Sequence, residues 1–376
     1  MTENSDMEIL LVAVPGLETA LLKEVQEKGF DKPRPIKGGI TIRGDWKMVW
    51  RANLELRGAS RILVRLGSFH AVHLAQLDKR ARKFPWSETL DPSIPVKVEV
   101  SCKSSRIYHQ KAAAERIVRA LTETHGIRVS DDAELTIKVR IFRDLCTISV
   151  DSSGEGLHKR GYKEAVNKAP MRETLASLLL RECGFCGTEP VVDPMCGSGT
   201  FIIEAAEIAA GLQPGRVRNF AFQQLKSFDP ELYETLKKPI PEIEKKSQFF
   251  GFDRDKGAID ISQQNAKRAG VGNSTQFLKQ TIANLKPPTD QPGLVIINPP
   301  YGVRIGEIKK LSNLYISLGN CLKAGFDGWR VGLITNSDQL AKATALPFCE
   351  KPLKFSHGGI PVKLFKTDPL PQRVNC

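Results

Sequence analysis

The chain has 376 residues, 41% of them apolar, and a net charge of +13. That length exceeds what one domain uses and the apolar share is ample for packed cores, while the basic excess favours a polyanionic partner, nucleic acid before membrane. No run reaches the ~20 apolar residues of a membrane span, the stretch Met1–Asp6 is polar and acidic, and the eight cysteines have no framework spacing, so no signal peptide and a cytoplasmic protein with reduced thiols are expected.

Ile9 to Val14 reads as a first strand, closed by Pro15-Gly16. Leu17, Leu21, Leu22 and Val25 form one face of a helix to Lys28, which Gly29 ends. Gly38-Gly39 leads into a short strand at Ile40–Arg43, and Asp45 can cap a helix through about Leu56. Strand, helix, strand, helix suggests a small α/β unit over residues 1–58.

Arg61 to Leu66 is the next strand. Lys79, Arg80, Arg82 and Lys83 crowd before Phe84-Pro85-Trp86. Val96–Val100 alternates apolar and polar, a half-buried strand. Ser101 to Arg106 is a polar loop holding Lys103 and Arg106. Lys111–Thr124 has a helical pattern. Leu135–Ile141 alternates and pairs across Arg143-Asp144 with Leu145–Val150. Residues 59–155 thus read as a second α+β unit with basic loops. Asp151-Ser152-Ser153-Gly154-Glu155-Gly156 reads as a flexible linker, being small and polar. Leu157 to Tyr162 follows, with Lys159 and Arg160 as further basic candidates and His158 expected as a surface or RNA-contact residue rather than a metal ligand.

The rest, residues 156–376, reads as one large α/β domain. Ala169-Pro170 opens a helix, with Pro170 near its first turn. Cys183 and Cys186 have no second pair or histidine nearby, so buried thiols at a helix end are expected rather than a metal. Pro190-Val191-Val192 is a buried strand, Asp193-Pro194-Met195-Cys196-Gly197-Ser198-Gly199-Thr200 a glycine turn, and Phe201–Ala206 a helix. This is the first crossover of a doubly wound sheet. Gly211–Ser247 is expected to be an insertion in this domain. Phe249–Phe252 is the next strand, ending in Asp253. Leu294–Ile297 is another, ending in Asn298-Pro299-Pro300-Tyr301. Trp329–Thr335 is a further strand, and Gly358-Gly359 turns a closing antiparallel hairpin.

A glycine turn after the first strand, an acid ending the second and Asn-Pro-Pro-Tyr ending the fourth together specify an S-adenosylmethionine methyltransferase acting on an exocyclic amine. The Asn298 side-chain oxygen and the Pro299 carbonyl can accept the amine's N–H groups and aim its lone pair. Pro299 and Pro300 stiffen the loop, and Tyr301 can stack on a base that has left its duplex. Asp193 is expected at the methionine end of the cofactor, with Met195, Cys196, Gly197, Ser198, Gly199 and Thr200 lining it. Asp253 would hold ribose hydroxyls, and Arg254 and Thr281 would flank the adenine. Thr174, at the start of the helix before the cofactor strand, joins this set. Cys196 has nothing nearby to lower its pKa, so packing is expected of it rather than nucleophilic attack. No metal site is expected.

The stretch 193–200 followed by Ile203-Glu204-Ala205-Ala206, together with Asn298-Pro299-Pro300-Tyr301-Gly302 and Arg304, resembles the THUMP-domain RNA guanine-N2 methyltransferases, above all those acting on 23S ribosomal RNA. The likeness runs over nearly the full length. Pro15-Gly16-Leu17-Glu18 resembles the family's ferredoxin-like unit, residues 59–155 its THUMP domain, Gly156–Tyr162 its exit segment, and Ala169-Pro170 with Glu173-Thr174 the helix entering its Rossmann-like class I methyltransferase domain. The resemblance implies that the two N-terminal units grip RNA while the C-terminal domain transfers the methyl group; the basic residues Lys79, Arg80, Arg82, Lys83, Lys103 and Arg106, with Lys159 and Arg160 just beyond, are the expected RNA contacts. Long family members carry a second methyltransferase downstream, so one activity is implied here. Thr281 stands where relatives often carry an aspartate, leaving the adenine contact open. The rival readings are a tRNA guanine-N2 enzyme, a DNA adenine-N6 enzyme, and an inactive RNA-binding or assembly protein.

Overall fold

The computed structural model describes residues 6–164, 171–241, 248–301 and 308–372. Ala169, Pro170, Gly302 and Arg304 lie outside the described residues. The chain divides into two units: Met1–Ala13, Leu21–Leu157 and Gly215–Lys238 form one, and Val14–Ala20, His158–Pro214 and Pro239–Cys376 the other.

The first unit holds β1 (Met7–Val12), most of α1 (Glu18–Glu27), β2 (Arg34–Ile36), β3 (Gly39–Gly44), α2 (Trp46–Glu55), β4 (Arg61–His70), α3 (Leu74–Arg82), β5 (Val96–Lys103), α4 (Gln110–Arg119), β6 (Leu135–Phe142) and β7 (Leu145–Asp151). Its seven strands form one sheet in the order β2-β3-β1-β4-β7-β6-β5. β4 pairs antiparallel with β1 on one side and with β7 on the other, so the two stretches read as separate units share a sheet. Asp45 caps α2 as expected, accepting the Met48 N–H at 2.9 Å. Arg143 and Asp144 turn the β6–β7 hairpin, both with positive φ (50° and 63°), the geometry that matches the twist of paired strands.

In the stretch read as a flexible linker, the first half is buried inside the first unit. Asp151, Ser152 and Ser153 are fully buried. The Asn53 amide donates to Ser152 Oγ at 2.9 Å, and Ser153 Oγ donates to Asn53 Oδ1 at 2.7 Å. Ser152 Oγ donates to the Ile62 carbonyl, and Ser153 Oγ accepts the Ile62 N–H. Arg61 pairs with Asp151 at 2.5 Å. Small polar side chains that loosen an exposed chain are also those best sized to satisfy buried backbone groups. The segment after Gly211 is likewise not an insertion confined to the large domain. Gly215–Lys238, with α7 (Pro230–Glu234), belongs to the first unit. Its Phe222, Phe228 and Tyr233 surround Trp50 of α2, with ring centroids 6.1, 5.6 and 6.5 Å away. Its Arg218 donates to the carbonyls of Ser153, Glu155 and Gly156.

The second unit contains α5 (Glu173–Glu182), β8 (Val191–Asp193), α6 (Thr200–Ala209), β9 (Phe249–Asp253), α8 (Lys256–Arg268), β10 (Thr275–Lys279), β11 (Leu294–Ile297), α9 (Ile308–Gly325), β12 (Arg330–Thr335), α10 (Asp338–Ala343), β13 (Leu353–His357) and β14 (Ile360–Lys366). The strand order is β10-β9-β8-β11-β12-β14-β13. The first five in that order run parallel, and β14 lies antiparallel to β12. This is the α/β, Rossmann-like sheet expected, and its order reverses between β8 and β11, where ligands bind at the carboxyl ends. Leu294, Val295, Ile296 and Ile297 are all fully buried, as a covered parallel strand requires. α9 seals one face with Tyr315, Leu318, Leu322 and Phe326 against Val295, Ile297, Val331 and Leu333. Each such side chain contributes roughly 1.5–3 kcal/mol. Pro15-Gly16 does more than close a strand. The Pro15 carbonyl accepts the Ser356 N–H of β13, and a Cβ on Gly16, whose φ is +94°, would stand 2.1 Å from the Lys354 carbonyl oxygen.

Candidate active site

Three strand ends bring the expected residues together. β8 ends at Asp193, 2% exposed, whose Oδ1 accepts the Met195 N–H at 3.0 Å. Burial, with Asp253 nearby, pushes its carboxyl up to about 8. The loop then turns through Gly197 (φ +54°), where a Cβ would meet open space, and Gly199 (φ +81°), where one would lie 3.1 Å from Phe277 and Ser262. β9 ends at Asp253, whose Oδ2 accepts the Gly197 N–H (3.1 Å) and whose Oδ1 accepts the Asp255 N–H (3.0 Å). The acid expected to hold ribose hydroxyls therefore also fastens the glycine loop, and each oxygen keeps a further lone pair.

α8 completes the clamp, which the sequence reading missed. Ser262 Oγ donates to the Gly197 carbonyl at 2.9 Å, and the Asn265 amide donates to the Ser198 carbonyl at 3.1 Å. Both side chains are fully buried. Their signal was two polar residues three apart on the packed face of an amphipathic helix. Cys196 is buried beside Ser262, and burial followed by Asp193 pushes its thiol well up, consistent with packing. Met195 packs on the apolar core and Ser198 is buried. Thr200 Oγ1 accepts from Lys163 Nζ at 2.8 Å, and that ammonium also pairs with Glu173 at 3.0 Å. Lys163 was not singled out from the sequence either. Thr174 is buried in the first turn of α5. Arg254 and Thr281 are exposed and line an open cleft of about 730 Å³ with Lys279, Gln280, Asn284 and Lys286.

β11 delivers Asn298. Its Oδ1 is buried and accepts no hydrogen bond. A buried acceptor left unpaired costs about 1–3 kcal/mol, so a donor is due there. Pro299 is buried and Pro300 exposed; the Pro300 carbonyl accepts from the Tyr315 hydroxyl at 3.4 Å. The Tyr301 hydroxyl lies 2.9 Å from His357 Nδ1 at the end of β13. Burial, then Arg172, lowers the His357 pKa, which favours the neutral ring in this contact with Tyr301. His357 carried no sequence signal, because the hairpin that presents it is far along the chain.

These residues fit S-adenosylmethionine. Asp193 is a buried carboxyl suited to an ammonium, the open side of Gly197 admits close approach to the backbone, and Asp253 is a carboxylate at the end of the neighbouring strand.

The basic candidates divide. Lys79, Arg80, Lys83, Lys103, Arg106 and Lys159 are exposed. Arg160 is not: it is 2% exposed and paired at 3.1 Å with Glu204, itself 0% exposed, so it braces the second unit and cannot meet a surface ligand. Arg82 is committed to Asp78 (2.9 Å), Glu123 (2.7 Å) and Thr124 (3.0 Å), a clamp within the first unit. His158 is half-buried rather than at the surface, and burial followed by Arg172 lowers its pKa to about 4. Cys183 is buried and Cys186 exposed. Among the described residues no group of three or more side chains could hold a metal ion, and no helix is long and apolar enough to cross a membrane.

The strand order and the loops at its switch point define a class I methyltransferase. The chain belongs to the family of the RMKL-like methyltransferase domain, whose model matches residues 160–359. Models of the RlmL ferredoxin-like domain and of the THUMP domain match residues 8–63 and 71–151. The chain is 30% identical to "Putative RNA methyltransferase slr0064" of Synechocystis, over 93% of this chain and 94% of that protein. It is 31% identical to "Ribosomal RNA large subunit methyltransferase K/L" of Vibrio campbellii, over 94% of this chain but 52% of that protein. It thus spans about half the length of the K/L relatives. The crystal structure of SMU.472, "a putative methyltransferase complexed with SAH", superposes with a TM-score of 0.86 at 25% identity, covering 99% of this chain and 100% of that one.

Proposed function

We propose that this protein transfers a methyl group from S-adenosylmethionine to the exocyclic N2 of a guanine in RNA, with 23S ribosomal RNA as its substrate in the cytoplasm. The observation that carries the reading is the buried, unpaired Oδ1 of Asn298 at the end of β11, beside a loop fitted for the donor. When bound, S-adenosylmethionine supplies an electrophilic methyl group. Asn298 Oδ1 and the Pro299 carbonyl each accept one N–H of the amine, which aims the nitrogen lone pair at the methyl carbon. Held there, the donor would supply a methyl group with a neutral thioether as its leaving group, and the methylated amine would give up one proton to water. Pro299 and Pro300 hold the loop before substrate arrives, and Tyr301, braced by His357, stacks on the base. Such a base must be flipped out or unpaired.

On this reading Asp193 receives the donor's ammonium, the backbone from Met195 to Thr200 lines it with Thr174 behind, Asp253 takes the ribose hydroxyls, and Arg254 and Thr281 border the adenine. Residues 1–58 and 59–155 hold RNA, with Lys79, Arg80, Lys83, Lys103 and Arg106 on phosphates, and residues 156–376 carry out transfer, with Lys159 near their start as a further phosphate contact. The ribosomal names of the K/L relatives and the match to a THUMP domain support RNA as the substrate. A second reading, adenine N6 in DNA, draws on a Listeria monocytogenes neighbour named "a predicted N6-adenine-specific DNA methylase" (TM-score 0.83, 28% identity), since the same loop would orient either amine. Nucleoside mapping of RNA and DNA from cells with and without the protein separates them. Loss of N2-methylguanosine at one 23S position is expected; unchanged RNA with loss of N6-methyladenine in DNA would overturn the proposal.

A further inference from the structure

The open face of the first unit's sheet carries a cluster with no part in methyl transfer. In parallel register Lys103 of β5 stands beside Phe142 of β6, and Ser101 beside Arg140. The two-residue alternation of strands puts these four on one face, and Lys103 and Arg140 are exposed. The guanidinium carbons of Arg140 and Arg143 lie 4.8 and 5.3 Å from the centroid of the Phe142 ring. The β6–β7 turn is tied to the loop leaving β5. Asp144 Oδ1 accepts the Arg106 N–H at 2.7 Å, and the Asp144 N–H donates to Ser105 Oγ at 3.1 Å. That tied loop presents Tyr108, 70% exposed, with its ring centroid 4.1 Å from that of His109.

A single exposed aromatic ring needs no explanation. This one stands on a loop tied to the turn that follows a second ring, Phe142, which is flanked by two arginines, with Lys103 beside Phe142 in register and Arg106 on the tied loop, both exposed. Flat rings interleaved with cations suit a polyanion whose flat units are free to stack, and bases offer their faces only when unstacked. We propose that the joint of the 103–109 loop with the Arg143-Asp144 turn is a platform for single-stranded RNA, with Tyr108 and Phe142 stacking on bases and Lys103, Arg106, Arg140 and Arg143 on the intervening phosphates. The inference rests on RNA being the substrate and adds the mode of its capture: stacking as well as charge, on a strand without a complement.

The test uses the full chain and the anisotropy of a short labelled single-stranded RNA, alone and annealed to its complement, across a salt series. Tyr108→Ala weakens single-strand binding about tenfold while leaving the salt slope unchanged, because stacking releases no counterions. Tyr108→Trp restores it. Arg140→Gln with Arg143→Gln lowers the magnitude of the slope by about 1.4. A Tyr108→Ala protein that binds like wild type, or a duplex bound as tightly as the single strand, overturns the platform. A wild-type protein that binds neither RNA overturns the RNA reading itself.

Discussion

In the second unit, Asp193, Gly197, Asp253 and Asn298 are fixed by strand ends, glycine dihedrals and buried hydrogen bonds. In the first, Lys79, Arg80, Lys103 and Arg106 carry their charges on exposed side chains. The transfer site is thus a matter of position, where the loss of one atom matters. The basic surface is a matter of sum, where charges substitute for one another. Arg160 and Arg106 make the contrast sharp. Both are arginines in basic stretches, yet one is a buried partner of Glu204 and the other is exposed.

The largest effect expected from breaking this contrast is at Asn298. Asn298→Ala should lower kcat by about 100- to 1,000-fold, with donor affinity in calorimetry near that of wild type. Next come the two arginines. Arg160→Ala strips a partner from a buried carboxylate and should cost about 3 kcal/mol in denaturant unfolding. Arg106→Ala should cost less than about 0.5 kcal/mol and instead flatten the salt dependence of RNA binding. Equal unfolding costs would erase the distinction.

Asp193 gives the third prediction. Its carboxyl is raised to about 8 in the folded chain, against about 3.9 unfolded, so between those values the folded state holds the extra proton. Stability conferred by the protonated form is present at low pH and is lost as pH rises from about 4 through about 8. Asp193→Asn should therefore stabilise the donor-free protein at pH 8 and change little at pH 4, while weakening donor binding. Thermal melts at both pH values check it; equal shifts at both would contradict the assignment. In the wild type, donor binding near pH 7 should release a proton, seen as a calorimetric heat that varies with buffer ionisation enthalpy. The smallest effect is at His357: His357→Ala should lower kcat by about threefold to tenfold through a loosened Tyr301, and Tyr301→Phe should match it if the hydroxyl serves only that contact.

The same contrast explains what was legible in the sequence. The sheet of the second unit could be read because its strands are continuous apolar runs that end in residues with special chemistry, as at Leu294–Asn298. Asp45 could be read as a cap because the cap is local. The burial of 151–153 could not, since the partners Asn53, Ile62 and Arg218 are distant in sequence. Nor could the departure of 215–238 from the second unit, because the aromatic residues that carry it look the same whichever core they join. Ser262, Asn265, Lys163 and His357 act through tertiary contacts alone. That departure also alters what truncation means. Removing residues 1–155 would strip Trp50 from Phe222, Phe228 and Tyr233 and leave an apolar surface prone to aggregation, so dissection is better done by point substitution.

The central claim is that Asn298 presents a buried acceptor to a guanine amine. Its most direct test is mass spectrometry of nucleosides from ribosomal RNA incubated with a methyl-labelled donor and either wild-type or Asn298→Ala protein. Label is expected in N2-methylguanosine with the wild type and absent with the variant, although the variant still binds the donor. Label on another nucleoside, or full incorporation by Asn298→Ala, would contradict the claim.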